Sequence, residues 1–306
     1  MTLTTRRRWT AAVLAAAALA LAGCGTSDPL KEGSATGTAP AATIVVGSQQ
    51  YYSNEIIAEI YAQALEANGY EVERQFQIGQ REVYLPELES GAIDILPEYT
   101  GNLLQYYDKE TTAATPEEIL AALGQVLPDG LRVLTPATAA DQDSFNVTAE
   151  FAAEWGLESI GDLANVTVPL VVGANSEFET RPYGPAGLRA VYGVEVTVLP
   201  IEDSGGPLTV KALQDGTVNV ADIYSADPSI GTNNLVTLAD PLSLVLPQQV
   251  VPLVSDAVDD AIAGILDAVN AELTTAELVA LNARSVSEQV ASDVIAADWL
   301  AGKGLA

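Results

Sequence analysis

Apolar residues recur along the chain with two different periods, and the changes of period predict alternating strands and helices. The segment 43–48 (TIVVGS) is a short β-branched run that predicts a buried strand. Apolar positions then follow helical spacing up to residue 67, after a candidate helix cap at Ser53 or Asn54. A second strand is expected over residues 70–78. The order strand, helix, strand indicates a parallel α/β sheet.

One local pattern occurs twice. In LPELESGAIDILPEYTGN, Tyr99 lies eight residues past Gly91, and in VKALQDGTVNVADIYSAD, Tyr224 lies eight residues past Gly216. Each glycine is expected to end a helix and each tyrosine to follow a strand. In open α/β sheets, ligands bind beyond the carboxyl ends of strands. The two tyrosines are therefore predicted to face a shared cleft, or alternatively each closes the core of its own lobe.

The chain is expected to form two lobes, of which the first is discontinuous. Residues 140–146 and 247–252 are predicted to cross between the lobes, and the chain becomes helical after residue 256. The first lobe is then 43–142 together with 248–306, and the second is 143–247. This organisation predicts an α/β fold of the Venus-flytrap type with a ligand cleft between the lobes.

The N-terminus has the features of a secretory signal peptide. Arg6, Arg7 and Arg8 precede a short apolar run that ends in Leu-Ala-Gly-Cys24. The run is too short to span a membrane, and its end resembles the bacterial lipobox. Residues 1–23 are therefore predicted to be a signal peptide, Cys24 the lipidated residue, and 24–42 a flexible tether. The protein is expected outside the cytoplasm, lipid-anchored to the outer face of the bacterial cell membrane, after export by the general or the twin-arginine route.

Composition excludes several kinds of chemistry. The chain has a net charge of −28 and no histidine. Nucleic acid is an improbable partner for so acidic a protein, and catalytic triads and histidine-ligated zinc are ruled out. No lysine follows a glycine-rich phosphate loop, so no cofactor and no metal are expected. A hydrolase that uses only carboxylates remains open, because 41 acidic residues could supply a catalytic pair.

Three motifs carry a family resemblance. They are GAIDILPEYTG (91–101), EFETRPYG (177–184) and ADIYSAD (221–227). With these motifs in order, the chain from about residue 43 to 305 resembles the glycine betaine/choline/carnitine substrate-binding proteins of osmoprotectant ABC importers, the OpuC/ProX-like family. The resemblance implies a periplasmic-binding-protein type II fold. It also implies a receptor rather than an enzyme, one that delivers a solute to an ABC permease driven by a cytoplasmic ATPase subunit.

The resemblance implies an aromatic cage for a trimethylammonium head, which attracts ring faces but donates no hydrogen bonds. Tyr99 and Tyr224 match cage positions, and Phe145 stands where the family usually has tyrosine. Where the family commonly has a further aromatic wall, this chain has Gln248 and Gln249. Tyr51 or its neighbour Tyr52 is a candidate to replace that wall.

Polar residues are implied around the cage. Asn102 matches a position that tunes ligand choice, and Gln49 stands where relatives have lysine or glutamine against the ligand. Arg181 matches a residue that holds a ligand carboxylate with its guanidinium fork, although a structural pair with a nearby acid is equally open. Asp143 is expected to favour a cation or, alternatively, to cap a helix.

The leading hypothesis is a receptor for a quaternary-ammonium osmoprotectant such as glycine betaine or choline. The glutamines in place of an aromatic wall keep a second hypothesis open, a receptor for an amino acid, a polyamine or another compatible solute. A carboxylate-dependent extracellular hydrolase is the enzyme alternative.

Overall fold

Two five-stranded sheets organise residues 43–306, the part of the chain that the computed structural model describes. The predicted signal peptide (1–23), Cys24 and the tether (24–42) lie outside the described residues. The first sheet contains β1 (Ile44–Gly47), β2 (Val72–Gln75), β3 (Ile95–Tyr99), β4 (Leu131–Val133) and β10 (Val250–Ser255). The second contains β5 (Phe145–Thr148), β6 (Val171–Ala174), β7 (Thr197–Pro200), β8 (Val220–Asp222) and β9 (Leu235–Thr237).

Helices cover both sheets. Those that follow or precede strands of the first sheet are α1 (Tyr52–Ala67), α2 (Arg81–Glu89), α3 (Thr100–Tyr107), α4 (Pro116–Val126), α9 (Asp260–Glu272), α10 (Thr275–Val286) and α11 (Ser292–Lys303). Those between strands of the second sheet are α5 (Ala149–Trp155), α6 (Pro185–Tyr192), α7 (Pro207–Gln214) and α8 (Ser229–Thr232), with 3-10 turns at Ile160–Asn165 and Ser176–Thr180. No helix among residues 43–306 is long and apolar enough to cross a bilayer.

The two sheets share one plan. Their strand orders are β2-β1-β3-β10-β4 and β7-β6-β8-β5-β9. In each sheet the first three strands are parallel and the last two introduce antiparallel pairs. The strands β3 and β8, which follow the repeated sequence pattern, occupy the same central position in the two sheets.

The predicted parallel pairing is present among β1, β2 and β3, whereas β10 adds antiparallel pairing to the same sheet. This strand runs antiparallel to β3, with Val250 paired to Tyr99. The chain returns from the second sheet to the carboxyl end of β3, so β10 has to run back along its neighbour. The result is a mixed sheet whose ligand-facing edge carries both the end of β3 and the start of β10.

Helix α1 forms where its apolar spacing predicts, but its cap differs from the expectation. The N-cap is Tyr51, which makes no side-chain capping bond. Ser53 instead donates from Oγ to Asp141 Oδ2 at 3.2 Å, and Asn54 Oδ1 accepts from the backbone N–H of Gln49 at 2.8 Å. Both side chains therefore fix the loop before the helix and the crossing segment, rather than the helix end.

The apolar face of α1 supplies much of the core of the first lobe. Ile56, Ile57, Ile60 and Leu65 are completely buried, and they belong to one cluster with residues of β1, β10 and the C-terminal helices α9 to α11. Fully burying such a side chain contributes about 1.5–3 kcal/mol relative to leaving it exposed. This packing makes α1, and the loop before it, a fixed support for one wall of the cleft.

The two connections between the sheets run side by side. Ala140 and Gln249 form an antiparallel bridge, and the N–H of Asp141 donates to the carbonyl of Gln248 at 3.3 Å. These contacts lie within the two segments that the sequence predicts as crossings. Lobe boundaries at residues 142/143 and 247/248 stay a prediction.

Candidate functional site

Tyr99 and Tyr224 stand at matching ends of the two central strands. Tyr99 is the last residue of β3, and Tyr224 follows the end of β8 at Asp222. Gly91 and Gly216, which precede these strands, have φ of +75° and +70° and so make the left-handed turns that the repeated pattern requires. The repeated sequence pattern therefore corresponds to the same local structure in both sheets: a left-handed glycine, a central strand and a tyrosine at or just beyond its carboxyl end.

Tyr51 joins the two tyrosines. Its ring centroid lies 4.8 Å from that of Tyr224 and 6.5 Å from that of Tyr99. The ring of Tyr51 is tilted relative to that of Tyr224 and stacked with that of Tyr99. Tyr99 and Tyr224 therefore contribute to one aromatic group between the sheets. Tyr51 and Tyr99 are at the same time part of the core cluster of the first lobe, and Tyr224 packs against that cluster.

A cavity of about 30 Å³ lies beside these rings, which is room for roughly two water molecules. Residues predicted for the site that line it are Gln49, Tyr51, Tyr99, Asn102, Asp143, Arg181 and Tyr224. Residues that the sequence reasoning missed are Gln80, Arg81, Asp141, Asn175, Glu177, Phe178, Tyr183 and Asp222. The first and second sheets both contribute, so the cavity is a cleft between the lobes.

Phe145 was predicted for the site but does not line the cavity. It lies in β5, buried, with its ring centroid 6.0 Å from that of Phe178 in an edge-on arrangement. Phe178 itself lines the cavity. Phe145 therefore supports an aromatic wall from behind.

Gln248 also lies outside the cavity lining, and it orients Asn102. Its Oε1 accepts from the backbone N–H of Asn102 at 2.9 Å, and its Nε2 donates to Asn102 Oδ1 at 2.8 Å. Asn102 Nδ2 then donates to Asp143 Oδ2 at 2.7 Å, across the cleft. The amide of Asn102 is thus fixed on both sides, and Gln248 acts through it.

The two guanidinium groups that line the cavity are each bound by a glutamate. Arg81 Nε and Nη2 donate to the two carboxylate oxygens of Glu98 at 2.9 and 2.8 Å, and Tyr84 also donates to Glu98. Arg181 bonds both carboxylate oxygens of Glu82. The structural pair that the sequence left open for Arg181 is therefore present, while its role toward a ligand stays a prediction.

Carboxyl groups dominate the rest of the lining. Burial raises the pKa of Asp141 to about 7 and also raises the pKa of Glu177. Burial, followed by the charge of Asp143, raises the pKa of Asp222 well above its usual range. Because the lining guanidiniums are already neutralised by glutamates, this surplus of acid favours a cation in the cavity.

Four buried polar atoms of the lining have no hydrogen-bond partner in the protein: Gln49 Nε2, Gln80 Nε2, Tyr99 Oη and Asp222 Oδ1. An unsatisfied buried polar group costs about 1–3 kcal/mol, so such atoms in a cleft mark places for solute groups. The two amide nitrogens call for an acceptor and the carboxyl oxygen for a donor or a positive charge. The pattern fits a small bipolar solute.

Some of the missed residues had a signal in the sequence. Glu177, Phe178 and Tyr183 belong to the motif that contains Arg181, and Asp222 belongs to the motif that contains Tyr224. Among residues 43–306, no group of three or more acidic, histidine or cysteine side chains is arranged to hold a metal ion.

A family model and two curated relatives all match this chain over most of its length. The family model described as the substrate binding domain of the ABC-type glycine betaine transport system matches residues 42–302. The glycine betaine-binding protein YehZ of Escherichia coli is 27% identical over 86% of this chain and 92% of its own length. A glycine-betaine-binding protein of Pseudomonas aeruginosa is 28% identical over 87% of this chain and 89% of its own length.

A solved structure extends the comparison to the fold. The crystal structure of a glycine betaine/carnitine/choline ABC transporter protein aligns with a TM-score of 0.69 at 21% identity, covering 86% of this chain and 99% of that one. The predicted α/β, two-lobed periplasmic-binding-protein type II fold is thereby confirmed.

Proposed function

The chain belongs to the family of substrate-binding domains of ABC-type glycine betaine transport systems, and from this we propose that it captures a quaternary-ammonium osmoprotectant such as choline or glycine betaine. The family consists of extracytoplasmic receptors for ABC transporters and not of enzymes, so the predictions of a receptor and of no enzymatic activity are confirmed. Its members work with the permease and ATPase components of the transporter. The choice of solute for this chain is the part that we propose.

The observation that carries the proposal is the meeting of three tyrosine rings from both lobes beside an acidic cavity. A quaternary ammonium has no hydrogen to donate, so it is held by ring faces and by negative charge. Tyr51, Tyr99 and Tyr224 offer the rings. Asp143 and Asp222 offer the charge. An uncharged solute would leave this acidic surface uncompensated.

The opposite end of the solute is expected to carry an oxygen acceptor. The unpartnered amide nitrogens of Gln49 and Gln80 both line the cavity. A hydroxyl oxygen, as in choline, or a carboxylate oxygen, as in glycine betaine, would satisfy them. In this proposal Asn102 and Arg181 complete the polar wall, Gln248 orients Asn102, and Phe145 supports the ring of Phe178.

Solute entry requires the lobes to separate. The residues around the cavity are largely closed off from solvent, with Tyr99, Asp143 and Asp222 at 3%, 6% and 8% exposure. Hydrogen bonds that join the lobes across the cleft include Tyr52 OH to Asp227 Oδ2 at 2.7 Å, Asn102 Nδ2 to Asp143 Oδ2 at 2.7 Å, and the pair of Arg181 with Glu82. We expect lobe 43–142 plus 248–306 and lobe 143–247 to rotate about the paired crossing segments, as flytrap receptors do.

Membrane attachment through Cys24 belongs to the same proposal. The lipobox resemblance and the polar segment 24–42 support a lipid-anchored receptor on the outer face of the bacterial cell membrane. Cys24→Ser is expected to move the protein from the membrane fraction to the culture supernatant or periplasm. A variant that stays with the membrane would remove lipid anchoring from the proposal.

Calorimetry tests the solute class. Purified protein is titrated with choline, glycine betaine, carnitine, proline betaine and, as a non-quaternary panel, proline, arginine and putrescine. Saturable binding of a quaternary-ammonium compound at micromolar or tighter affinity, with the other compounds at least tenfold weaker, is the expected result. Preference for an amino acid or a polyamine would contradict the solute class and retain the receptor.

A further inference from the structure

Asp143 and Asp222 come from neighbouring segments of the second lobe. Strands β5 and β8 are antiparallel with Phe145 opposite Asp222, and Asp143 lies two residues before Phe145, where the N–H of Ile223 donates to the carbonyl of Ser144 at 3.1 Å and continues the pairing. The two aspartates are 6% and 8% exposed, and both line the cavity. Two carboxyl groups are thus held together at the floor of the cleft, largely out of water.

The two carboxyl groups differ in their hydrogen-bond partners. Asp143 Oδ2 accepts from Asn102 Nδ2 at 2.7 Å, whereas Asp222 Oδ1 has no donor within the protein. Both carboxyl groups are buried and line the same cavity, and neighbouring buried carboxylates disfavour ionisation of both. Burial and the neighbouring carboxylate raise the pKa of Asp222 well above its usual range, in agreement with this arrangement.

The surrounding groups do not supply a cation to neutralise the pair. Glu177, from the 3-10 turn before Arg181, adds a further negative charge, and Tyr183 and Tyr224 face the pair with neutral phenols. Arg81 and Arg181 are the basic groups of the lining, and they are bound to Glu98 and Glu82. Two ionised carboxylates here would lack compensation until a positive solute arrives.

We propose that Asp143 and Asp222 share one proton in the solute-free protein and release it to solvent when the cationic head of the solute enters, so that binding is an exchange of a proton for a cation. This inference rests on the proposed function, since it assumes a cationic solute. No covalent bond to the solute is made or broken: one O–H ionises, and the proton goes to the buffer. The aspartate pair is then a specificity determinant that rejects neutral analogues of the solute.

The exchange gives binding a defined pH dependence. A cation stabilises the ionised pair, so affinity rises with pH while the free pair is protonated and levels off once it is ionised. For one released proton the rise is at most about tenfold per pH unit. A tertiary amine or quaternary ammonium should show this rise, and an uncharged isostere of choline should not.

A calorimetric proton count tests the inference. Choline is titrated at pH 7 in phosphate and in ACES, buffers with different ionisation enthalpies, and the difference in measured heat gives the number of protons released. The expected result is close to one proton for the unchanged protein and close to zero for Asp222→Asn, with affinity about tenfold lower in the variant. Asp129→Asn, at an exposed position outside the cavity lining, makes the same change in net charge and should release as many protons as the unchanged protein.

The count also separates the pair from its neighbour Asp141. Release that persists in Asp222→Asn and disappears in Asp141→Asn would overturn the proposal. So would choline affinity that is unchanged from pH 5.5 to 8.5, and in that case the receptor function would stand.

A second measurement does not depend on the solute. Infrared difference spectra at pH 6 should show the carbonyl stretch of a protonated carboxyl group in the unchanged protein that is missing in Asp222→Asn. Absence of that difference would overturn proton sharing even if no quaternary ammonium binds. Failure of every quaternary ammonium to bind, with the infrared difference present, would count against the proposed solute and retain the proton-sharing pair.

Discussion

Arg181 Nη1 lies 2.9 Å from Glu82 Oε1, and its Nη2 lies 3.3 Å from Glu82 Oε2, so the guanidinium fork of one lobe is held by a carboxylate of the other. Arg181 is mostly buried, whereas half of the Glu82 side chain is exposed. This pair is an internal competitor: a solute carboxylate that reaches Arg181 has to displace Glu82. A cation without a carboxylate does not have to do so.

Glu82→Gln should shift the preference of the protein toward carboxylate-bearing solutes. The neutral amide of glutamine binds Arg181 more weakly than the carboxylate of Glu82 does. The guanidinium therefore becomes available to the carboxylate of glycine betaine. We expect glycine betaine affinity to rise several-fold and choline affinity to stay within about twofold, as measured by calorimetry. Glu87→Gln, an exposed position on the same helix, is the matched control. Equal changes for both solutes would mean that Glu82 does not compete for Arg181.

The aromatic contribution is tested by removing rings singly. Tyr99→Ala and Tyr224→Ala should each weaken choline binding by more than about 1 kcal/mol, since desolvated cation–π contacts reach about 2 kcal/mol. Tyr99→Phe and Tyr224→Phe keep the ring faces and serve as controls, with losses of less than about twofold. Calorimetry on all four variants gives the answer. Unchanged affinity in both alanine variants would remove the tyrosine rings from the binding mechanism.

The features that the sequence could predict are those whose residues lie close together along the chain. The positions of Tyr99 and Tyr224 at strand ends are predictable because a helix-ending glycine, a strand and a tyrosine follow one another within a few residues, and such a short pattern largely determines the local backbone geometry. The helix α1 was predictable for the same reason. The N-cap of α1 could not be predicted in this way. Ser53 bonds to Asp141, which only the folded chain brings near, and Asn54 bonds to the backbone N–H of Gln49 in the loop before the helix.

The missed site residues depend on long-range pairing. Asp141 reaches the N–H of Ala226 across 85 positions of sequence, and no local pattern indicates that contact. Arg81 lies at the start of α2, where the sequence alone is compatible with an exposed arginine. Its burial is explained by its bond to the buried carboxylate of Glu98, which lies 17 positions further along the chain. Gln248 was assigned to the solute because it replaces a family aromatic, whereas in the folded chain its hydrogen bonds go to Asn102.

Breaking the Arg81–Glu98 pair should be strongly destabilising. Glu98 is completely buried and accepts from Arg81, from Tyr84 and from the backbone N–H of Tyr99. Glu98→Gln leaves a buried guanidinium without its counter-charge, a loss of about 3–5 kcal/mol in the free energy of unfolding. Urea denaturation at pH 7 measures it. Glu89→Gln, on exposed α2 surface, should cost less than about 1 kcal/mol, and a similarly small loss at Glu98 would refute the buried-pair assignment.

Asp141 should make stability depend on pH. Burial raises its pKa to about 7, so its carboxyl is neutral in the folded protein over a range where it is ionised in the unfolded chain. A group with a raised folded pKa contributes stability below its unfolded pKa, near 3.8, and loses that contribution as pH rises to about 7. Three units of pKa correspond to about 4 kcal/mol, an upper bound on the loss.

Asp141→Asn is expected to remove this pH dependence. The side-chain oxygen can still accept from the N–H of Ala226, and the Ser53 hydroxyl can turn to accept from the new amide. The variant should match the unchanged protein in the free energy of unfolding at pH 4 and exceed it by a few kcal/mol at pH 8, as followed by urea denaturation at both pH values. Asp129→Asn reports how much of the gain comes from lowering the net charge of −28 alone. If both variants gain equally at pH 8, the ionisation of Asp141 carries no special cost and the crossing segment tolerates its charge.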